Sequence, residues 1–401
     1  ESAYEISSRA ASTFMKDFFQ SGDEKGLKTT RRKLKETDLV IYGGTPVFNY
    51  TYQDFSEWTV KFLEFCQKEN VPVIFSAVGI EYYDEKNEKC RRLKEAVNLP
   101  VVQQITTRDD LASLQKMVTR EDIFVARVAD PAVFAPEVFA GFCAEKREEK
   151  KIGLCILRGQ GFRDHGYKFG MKKAAAFWKE LYDELTRRGY EPELFTNGHY
   201  DDEAFMDRLV RDYGIPYRKA KFNINTPEAL VSHLSGYAGI VACRLHPNIL
   251  AYACGIPAVG LKWNMKVEGF YRAIDLENRM MTADQLTAAA VADRLEEAMN
   301  EGVTVDDAYR MSVYETLFSG IKKVLSKSET AIDYDEGAEV YDLSTLKSSI
   351  PRFEGTDEQE AFLKLRRKFR RMYGTYNKYQ NVIDRLESIP FLKEIYKKYC
   401  K

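Results

Sequence analysis

The sequence predicts an α/β protein made of two doubly wound units followed by a helical extension. Three observations predict it. Apolar, strand-like runs alternate with amphipathic helices first from "DLVIYGG" to "VPVIFSAVG" and again from "KIGLCILRGQG" onward. A charge run, "AEKREEKK" at 144–151, separates the two alternations. From about Leu286 the pattern turns helical and ends in a basic, aromatic stretch. Buried strand, helix, buried strand is a unit that forces parallel strands. Ligand sites of such sheets lie outside the carboxyl ends of the strands.

The first unit, assigned to residues 1–147, opens with the strand "DLVIYGG". Asp54 followed by Glu57 has the pattern of a capping box, and Phe55, Trp58, Phe62, Leu63 and Cys66 then recur near a 3.6-residue period. The strand "VPVIFSAVG" completes the βαβ unit, "VVQQITTRDD" is a further strand leading to a short helix, and "DIFVARVADPAVF" closes the region.

The second unit, assigned to 148–325, starts with "KIGLCILRGQGFRDHG", a buried strand opening into a glycine-rich loop. A helix around Ala174 to Arg188, the strand "EPELFTNG" and a helix from Asp201 follow. In "TPEALVSHL", Thr226 is the expected N-cap with Pro227 in the first helical position. The strand "AGIVACR" precedes a short helix that Pro247 opens and Gly255-Ile256-Pro257 stops, and "AVGLKW" is the next strand.

Residues 326–401 form the extension. Phe362, Leu365, Phe369 and Met372 line one helical face, with Lys364, Arg366, Arg367, Lys368, Arg370 and Arg371 around them. A packed helix with a snorkelling basic face is the plainer reading. A helix that meets a membrane surface or another anionic partner is the sharper one.

Composition narrows the function classes. Sixty Lys+Arg against 61 Asp+Glu leave a net charge of −1, so the molecule as a whole has no bias toward nucleic acid and any anion recognition is local. Seven cysteines, Cys66, Cys90, Cys143, Cys155, Cys243, Cys254 and Cys400, are scattered without a C-x-x-C pair. That spacing argues against a disulfide framework or a zinc site and suits a reducing, cytoplasmic setting. No apolar run has the length of a membrane span, and the start lacks a signal-peptide core. Glu1 stands where an initiator Met would, so the chain is expected to be trimmed or incomplete at its start.

The stretch "GIVACRLHPNILAYACGIPAVGLKWNMK", Gly239 to Lys266, carries the chemistry. Arg244 and His246 fall between a strand's carboxyl end and a helix's first turn, where unpaired N–H groups and the positive end of the helix dipole already attract anions. Lys262 and Lys266 follow the next strand, and Arg158 ends the first strand of the same unit. Converging positive charges repel unless an anion joins them, and two arginines can grip a carboxylate and a phosphate by paired hydrogen bonds. The competing structural reading pairs these cations with acidic neighbours such as Asp164 or Glu268. His165, in the glycine-rich loop, is a further candidate for the site, whereas His233 reads as a packed or partly exposed helical residue and His199 as serving a loop.

The segment "RLHPNILAYACGIPAVGLKWNMKVEGF" resembles the signature of the polysaccharide pyruvyl transferase family: Arg-Leu-His, a short apolar helix, Gly-x-Pro, a strand, and a lysine ahead of Gly-Phe. "YGGTPVF", "FSAVGIE", "TTRDD" and "ADPAVF" fall where that family places its upstream elements, so the resemblance spans roughly Asp38 to Phe270. It implies two Rossmann-like domains facing across a cleft, similar to GT-B glycosyltransferases. It also implies transfer of the pyruvyl group of phosphoenolpyruvate onto two hydroxyls of a sugar, which forms a ketal and releases phosphate. The implied donor site uses Arg244, His246 and Arg158, with His246 as general acid; Lys262, Lys266 and His165 are expected beside it. Gly43, Gly44 and Asn49, with Asp54, are expected on the acceptor side, and no metal or cofactor is called for. The partners expected are phosphoenolpyruvate and a sugar or glycan, lipid-linked if the extension meets the inner face of the membrane. The family usually opens with a strand and an Asn-Gly-Asp-type turn, and this sequence is expected to start after where those should be; its basic extension lies outside the common pattern. Two rival readings are a nucleotide-sugar glycosyltransferase of the same fold class, which would prefer an acidic residue for the ribose, and a non-catalytic binding protein.

Overall fold

The computed structural model describes residues 34–44, 46–51, 55–222, 224, 226–325, 372–387, 389 and 391. Asp54 and its capping box, the basic run 364–371, and the apolar positions Phe362, Leu365 and Phe369 lie outside the described residues. The chain divides into two compact units, one ending at Pro131 and joined by Asp307 onward, the other running from Ala132 to Asp306 and including the described residues from 372.

The first unit is a parallel sheet wrapped by helices. In chain order β1 (Val40–Gly43), α1 (Ser56–Glu69), β2 (Val73–Val78), α2 (Glu88–Val97), β3 (Val102–Thr107), α3 (Leu111–Met117) and β4 (Phe124–Arg127) alternate, and the strands pair in the order β1-β2-β3-β4. β2 is buried along its whole length, as the central strand of a sheet covered on both faces should be. Its side chains Val73, Phe75 and Val78 join Leu63 and Cys66 of α1 and Leu93 of α2 in one core. Asn87 and Asp110 cap α2 and α3 by accepting from first-turn amides.

The second unit begins with a short turn of helix, α4 (Ala135–Val138), whose Ala135 packs with Leu250 and Ala251 of that unit. This packing puts the division at 131/132, whereas the charge run suggested 147/148. The run itself supplies the first half of β5 (Glu148–Cys155), with Glu148, Glu149 and Lys150 exposed. Then come α5 (Gly159–Asp164), α6 (Met171–Arg187), β6 (Glu191–Phe195), α7 (Tyr200–Tyr213), β7 (Ala220–Lys221), α8 (Pro227–Ser235), β8 (Tyr237–Ala242), α9 (Leu245–Ala253), β9 (Ala258–Leu261), α10 (Met265–Ala273), β10 (Met280–Met281) and α11 (Ala288–Glu301). All six strands are parallel, in the order β10-β9-β8-β5-β6-β7. Read from β7, this is the Rossmann-like order 3-2-1-4-5-6, whose direction reverses between β5 and β8. Successive residues feed opposite cores: Leu154 and Val241 pack with Trp178 and Leu295, while Cys155 and Ala242 pack with Tyr237 and Leu250.

α9 opens at Leu245, two residues before Pro247, and Arg244 takes the N-cap position. A proline in the first turn costs no helical hydrogen bond, because the first amides have no partner within the helix. The predicted caps of α8 hold, with Thr226 accepting from Ala229 N. After α11, α12 (Asp307–Leu325) belongs to the first unit. Gln104 of β3 donates to Thr316 O at 2.8 Å and Ser312 Oγ accepts from Ala129 N at 2.9 Å, so a helix expected in the second domain is fastened to the first sheet. The last described helix, α13 (Tyr373–Glu387), packs on α7 of the second unit.

Candidate functional site

In the second unit, Cys155 of β5 lies level with Ala242 of β8, and Ala242 with Gly260 of β9. The chain therefore leaves three adjacent strands at the same height, and within three residues each exit presents a cation: Arg158, Arg244 and Lys262. Arg158 and Arg244 flank the point where strand order reverses, the usual crevice for ligands in an open α/β sheet. Both are N-caps, of α5 and α9.

Buried side chains fix these exits. Asn248, buried in α9, donates to Ala242 O at 3.2 Å and Arg244 O at 2.8 Å, and accepts from Tyr271 Oη at 2.8 Å. Trp178 Nε1 donates to Leu157 O at 3.3 Å. At Gly159 a side chain would meet backbone: a Cβ there would lie 2.5 Å from Gly170 C.

Each of the three cations already has a carboxylate. Arg244 Nε and Nη2 donate to Asp202 Oδ2 at 2.9 and 2.5 Å. The same carboxylate accepts from Arg158 N at 3.2 Å through Oδ1. Arg158 Nη2 pairs with Asp201 Oδ2 at 2.7 Å, and Lys262 Nζ with Glu268 Oε2 at 2.6 Å. The expectation of converging, uncompensated positive charge is thus corrected in favour of the pairing alternative, with Glu268 in the anticipated role. Asp164 instead accepts from Gln160 Nε2. In the sequence Asp201 reads only as a helix start; the signal for both acids is their adjacency at the opening of the helix after β6, which pairs with the strand that leads to Arg158.

Trp263, which ends the apolar run "AVGLKW" in the sequence, joins two of the candidates. The Arg244 guanidinium sits 5.2 Å from its ring centre, and the His165 ring meets it edge-on with centres 4.8 Å apart. Trp263 Nε1 donates to Cys243 O at 2.8 Å, so the plate is fixed to the end of β8. His165 Nδ1 lies 3.1 Å from Gly161 O. A carbonyl only accepts, so Nδ1 carries the proton and Nε2 is the basic nitrogen of the neutral ring.

His199, read as serving a loop, N-caps α7 next to Asp201 and Asp202. Although solvent reaches the residue, desolvation lowers its pKa; Asp202 opposes the shift, Arg244 adds to it, Asp201 opposes and Arg158 adds. The ring thus senses the same four charged groups. His246 occupies the second position of α9 and is exposed. Lys266 occupies the second position of α10, where its backbone N–H is capped by Asn264 at 3.1 Å. His233 is a helical residue in α8, and its pKa is lowered first by desolvation and then by Lys221.

Gly43, Gly44 and Asn49 belong to the first unit. Gly43 ends β1, Gly44 turns the chain at φ 77°, and Asn49 is buried with its carbonyl accepting from Ser56 N at 3.0 Å. Three acids follow the strands of this sheet, each with its own partner: Glu81 Oε2 takes the amides of Tyr50 and Thr51, Asp109 Oδ2 takes that of Ile80, and Asp130 pairs with Arg108. Among the described residues no group of three or more His, Cys, Asp and Glu is arranged to hold a metal ion.

A family model for polysaccharide pyruvyl transferase matches residues 7–265. No match is found among curated proteins. Among solved structures, the UDP-GlcNAc 2-epimerase from Methanocaldococcus jannaschii is similar at 10% identity and a TM-score of 0.50, over 73% of this chain and 81% of that one. A putative UDP-N-acetylglucosamine 2-epimerase from Listeria monocytogenes is similar at 10% identity and a TM-score of 0.50, over 77% of this chain and 82% of that one. At this identity the likeness shows the fold, two Rossmann-like units of the GT-B-like class.

Proposed function

The chain belongs to the polysaccharide pyruvyl transferase family, a family of transferases, and from that premise we propose that it moves the pyruvyl group of phosphoenolpyruvate onto two hydroxyls of a sugar in a cell-surface polysaccharide or its precursor. The observation that carries the proposal is that Arg158, Arg244 and Lys262 follow directly on the level carboxyl ends of β5, β8 and β9, around the switch point. Phosphoenolpyruvate is a small molecule with an anion at each end. A phosphate and a carboxylate suit two guanidiniums and an ammonium held at fixed spacing.

Those cations are paired with Asp201, Asp202 and Glu268, so the donor binds by exchange. The Asp202 carboxylate uses the Nε and Nη2 edge of Arg244 and leaves the Nη1 end out of that pair. Arg244 can therefore remain aimed by Asp202 while it takes a ligand oxygen. Arg158 and Lys262 must loosen from Asp201 and Glu268, which makes affinity depend on how easily those acids are left.

In the reaction a proton adds to the methylene carbon, C2 gains oxocarbenium character, and one sugar hydroxyl adds there. The C2–O bond to phosphate breaks and the second hydroxyl closes the ketal; of the two hydroxyl protons released, one balances the proton taken up at carbon and the other leaves on the phosphate. The products are the ketal and inorganic phosphate, with no oxidant, metal or cofactor in the balance. His246, on the first turn of α9, is the general-acid candidate, and His165, held against Trp263, is the second. Arg158 and Arg244 would hold the phosphate as it leaves.

The acceptor is a sugar or glycan, and a lipid-linked form at the inner face of the membrane fits a cytoplasmic, peripheral enzyme. Among the described residues no helix is long and apolar enough to cross a membrane. A second reading, a nucleotide-sugar glycosyltransferase, gains from one observation: Asp201 and Asp202 in the first turn of α7 and Glu268 in the first turn of α10 supply acids on helices that follow strands, as a ribose would ask. All three are engaged with cations, which favours the small dianionic donor. Phosphorus NMR of phosphoenolpyruvate with sugar acceptors separates the two readings.

A further inference from the structure

The tip of α13 reaches the anion site from a part of the chain far beyond the family match, which ends at residue 265. Arg158 Nη1 donates to Tyr376 Oη at 3.0 Å, and Tyr376 Oη donates to Asp201 Oδ1 at 2.6 Å. With the Arg158–Asp201 pair at 2.7 Å, the three groups close a ring. The helix that carries Tyr376 is firmly docked. Tyr373 is fully buried and donates to Glu203 Oε2, Asn377 Nδ2 donates to Ala204 O at 2.7 Å, and Arg208 Nη1 donates to Asn381 Oδ1 at 2.6 Å. The Tyr200 ring packs edge-on against both Tyr373 and Tyr376. The hydroxyl is therefore placed before any ligand arrives.

We propose that Tyr376 is a positioning residue of the anion site, whose hydroxyl keeps Asp201 hydrogen-bonded when an incoming phosphate group takes Arg158. The inference rests on the donor site proposed above and deepens it by giving the C-terminal helix control of donor affinity. Asp201 keeps 22% of its side-chain surface, and Arg158 20%. Pulling Arg158 away from a half-buried carboxylate is costly unless another donor stays behind. Tyr376 is that donor. Burial, and next the hydrogen bond to Asp201, raise its pKa, so it remains a protonated donor across the working pH range.

The full chain tests this by calorimetric titration with inorganic phosphate and with phosphoenolpyruvate. Tyr376→Phe should weaken both by about ten-fold, the worth of one hydrogen bond to a charged group, and in turnover the loss should fall on KM for the donor rather than on kcat. In an Asp201→Asn background the charge that Tyr376 supports is gone, and the same substitution should change phosphate affinity by less than about two-fold. Tyr373→Phe, on the same helix, should leave phosphate affinity intact. Unchanged affinity in Tyr376→Phe, or an equal loss in Tyr373→Phe, would overturn the inference while leaving the donor reading in place. A wild-type chain that binds neither phosphate nor phosphoenolpyruvate would remove the donor reading, and this inference with it.

Discussion

The Arg244 guanidinium is oriented by Asp202, which takes both Nε and Nη2 on one oxygen at 2.9 and 2.5 Å and is itself fully buried. The other oxygen of Asp202 holds the Arg158 amide. One carboxylate thereby couples the two strand ends at the switch point. Asp202→Ala should lower stability by about 1–3 kcal/mol, because a mostly buried arginine loses its acceptor. It should also weaken phosphoenolpyruvate binding. Denaturant titration and calorimetry check the two effects, and a stable variant with full affinity would show that Arg244 is aimed by something else.

Acidification should destabilise the fold and change how the site takes anions. The pKa of His199 is held below its ordinary 6.5, first by desolvation, and that of His233 is lowered too. For such a group the unfolded chain binds the proton first, so stability is full above about 6.5 and falls as pH drops toward the folded-state value. His199→Asn should flatten part of that slope. A bound anion favours the charged ring, so phosphate binding near pH 6 should take up protons, and His199→Asn should abolish that uptake. Calorimetry in buffers of different ionisation enthalpy measures it; identical uptake in the variant would assign the proton to another group.

Trp263 should report on the site. It lies between Arg244 and His165, while Trp178 is fully buried. Phosphate should change the fluorescence of the wild type, and Trp263→Leu should remove that change while weakening phosphate binding about three- to ten-fold through the lost cation–π contact. An unchanged affinity would reduce Trp263 to a packing role.

Arg244 and His246 should separate by kinetics. Arginine stays charged, so Arg244→Ala should chiefly lose donor binding. His246→Ala should keep most of its affinity and lose turnover by a factor on the order of 10² to 10⁴, the usual worth of a general acid. If His246→Ala binds poorly yet turns over normally at saturation, the acid is elsewhere, and His165 is the next residue to replace.

The sheets were legible because their strands are continuous apolar runs, and the helices between them repeat near 3.6 residues. "AGIVACR" and "AVGLKW" became neighbours as their short crossover requires. What pattern could not supply was partnership across sequence. Asp202 lies 42 residues from Arg244, and Tyr376 lies 218 from Arg158; no periodicity joins such positions. Glu268 was foreseeable because it is close in sequence to Lys262, on the helix that follows the same strand. Trp263 was hidden for a different reason: an aromatic at a strand end reads as core until its indole is seen stacked on a guanidinium. The compact units divide at 131/132 rather than at the charge run, which continues into an exposed strand start at Glu148 to Lys150.

On the proposed function, the cations at the β5, β8 and β9 ends hold phosphoenolpyruvate for transfer to a sugar. Phosphorus NMR of the full chain with phosphoenolpyruvate and a panel of sugar acceptors tests it most directly. The donor signal should give way to inorganic phosphate only when a suitable acceptor is present, and Arg244→Ala should stop the exchange. A donor signal that stays unchanged with every acceptor, while a nucleotide sugar is consumed and its diphosphate appears, would contradict the proposed function.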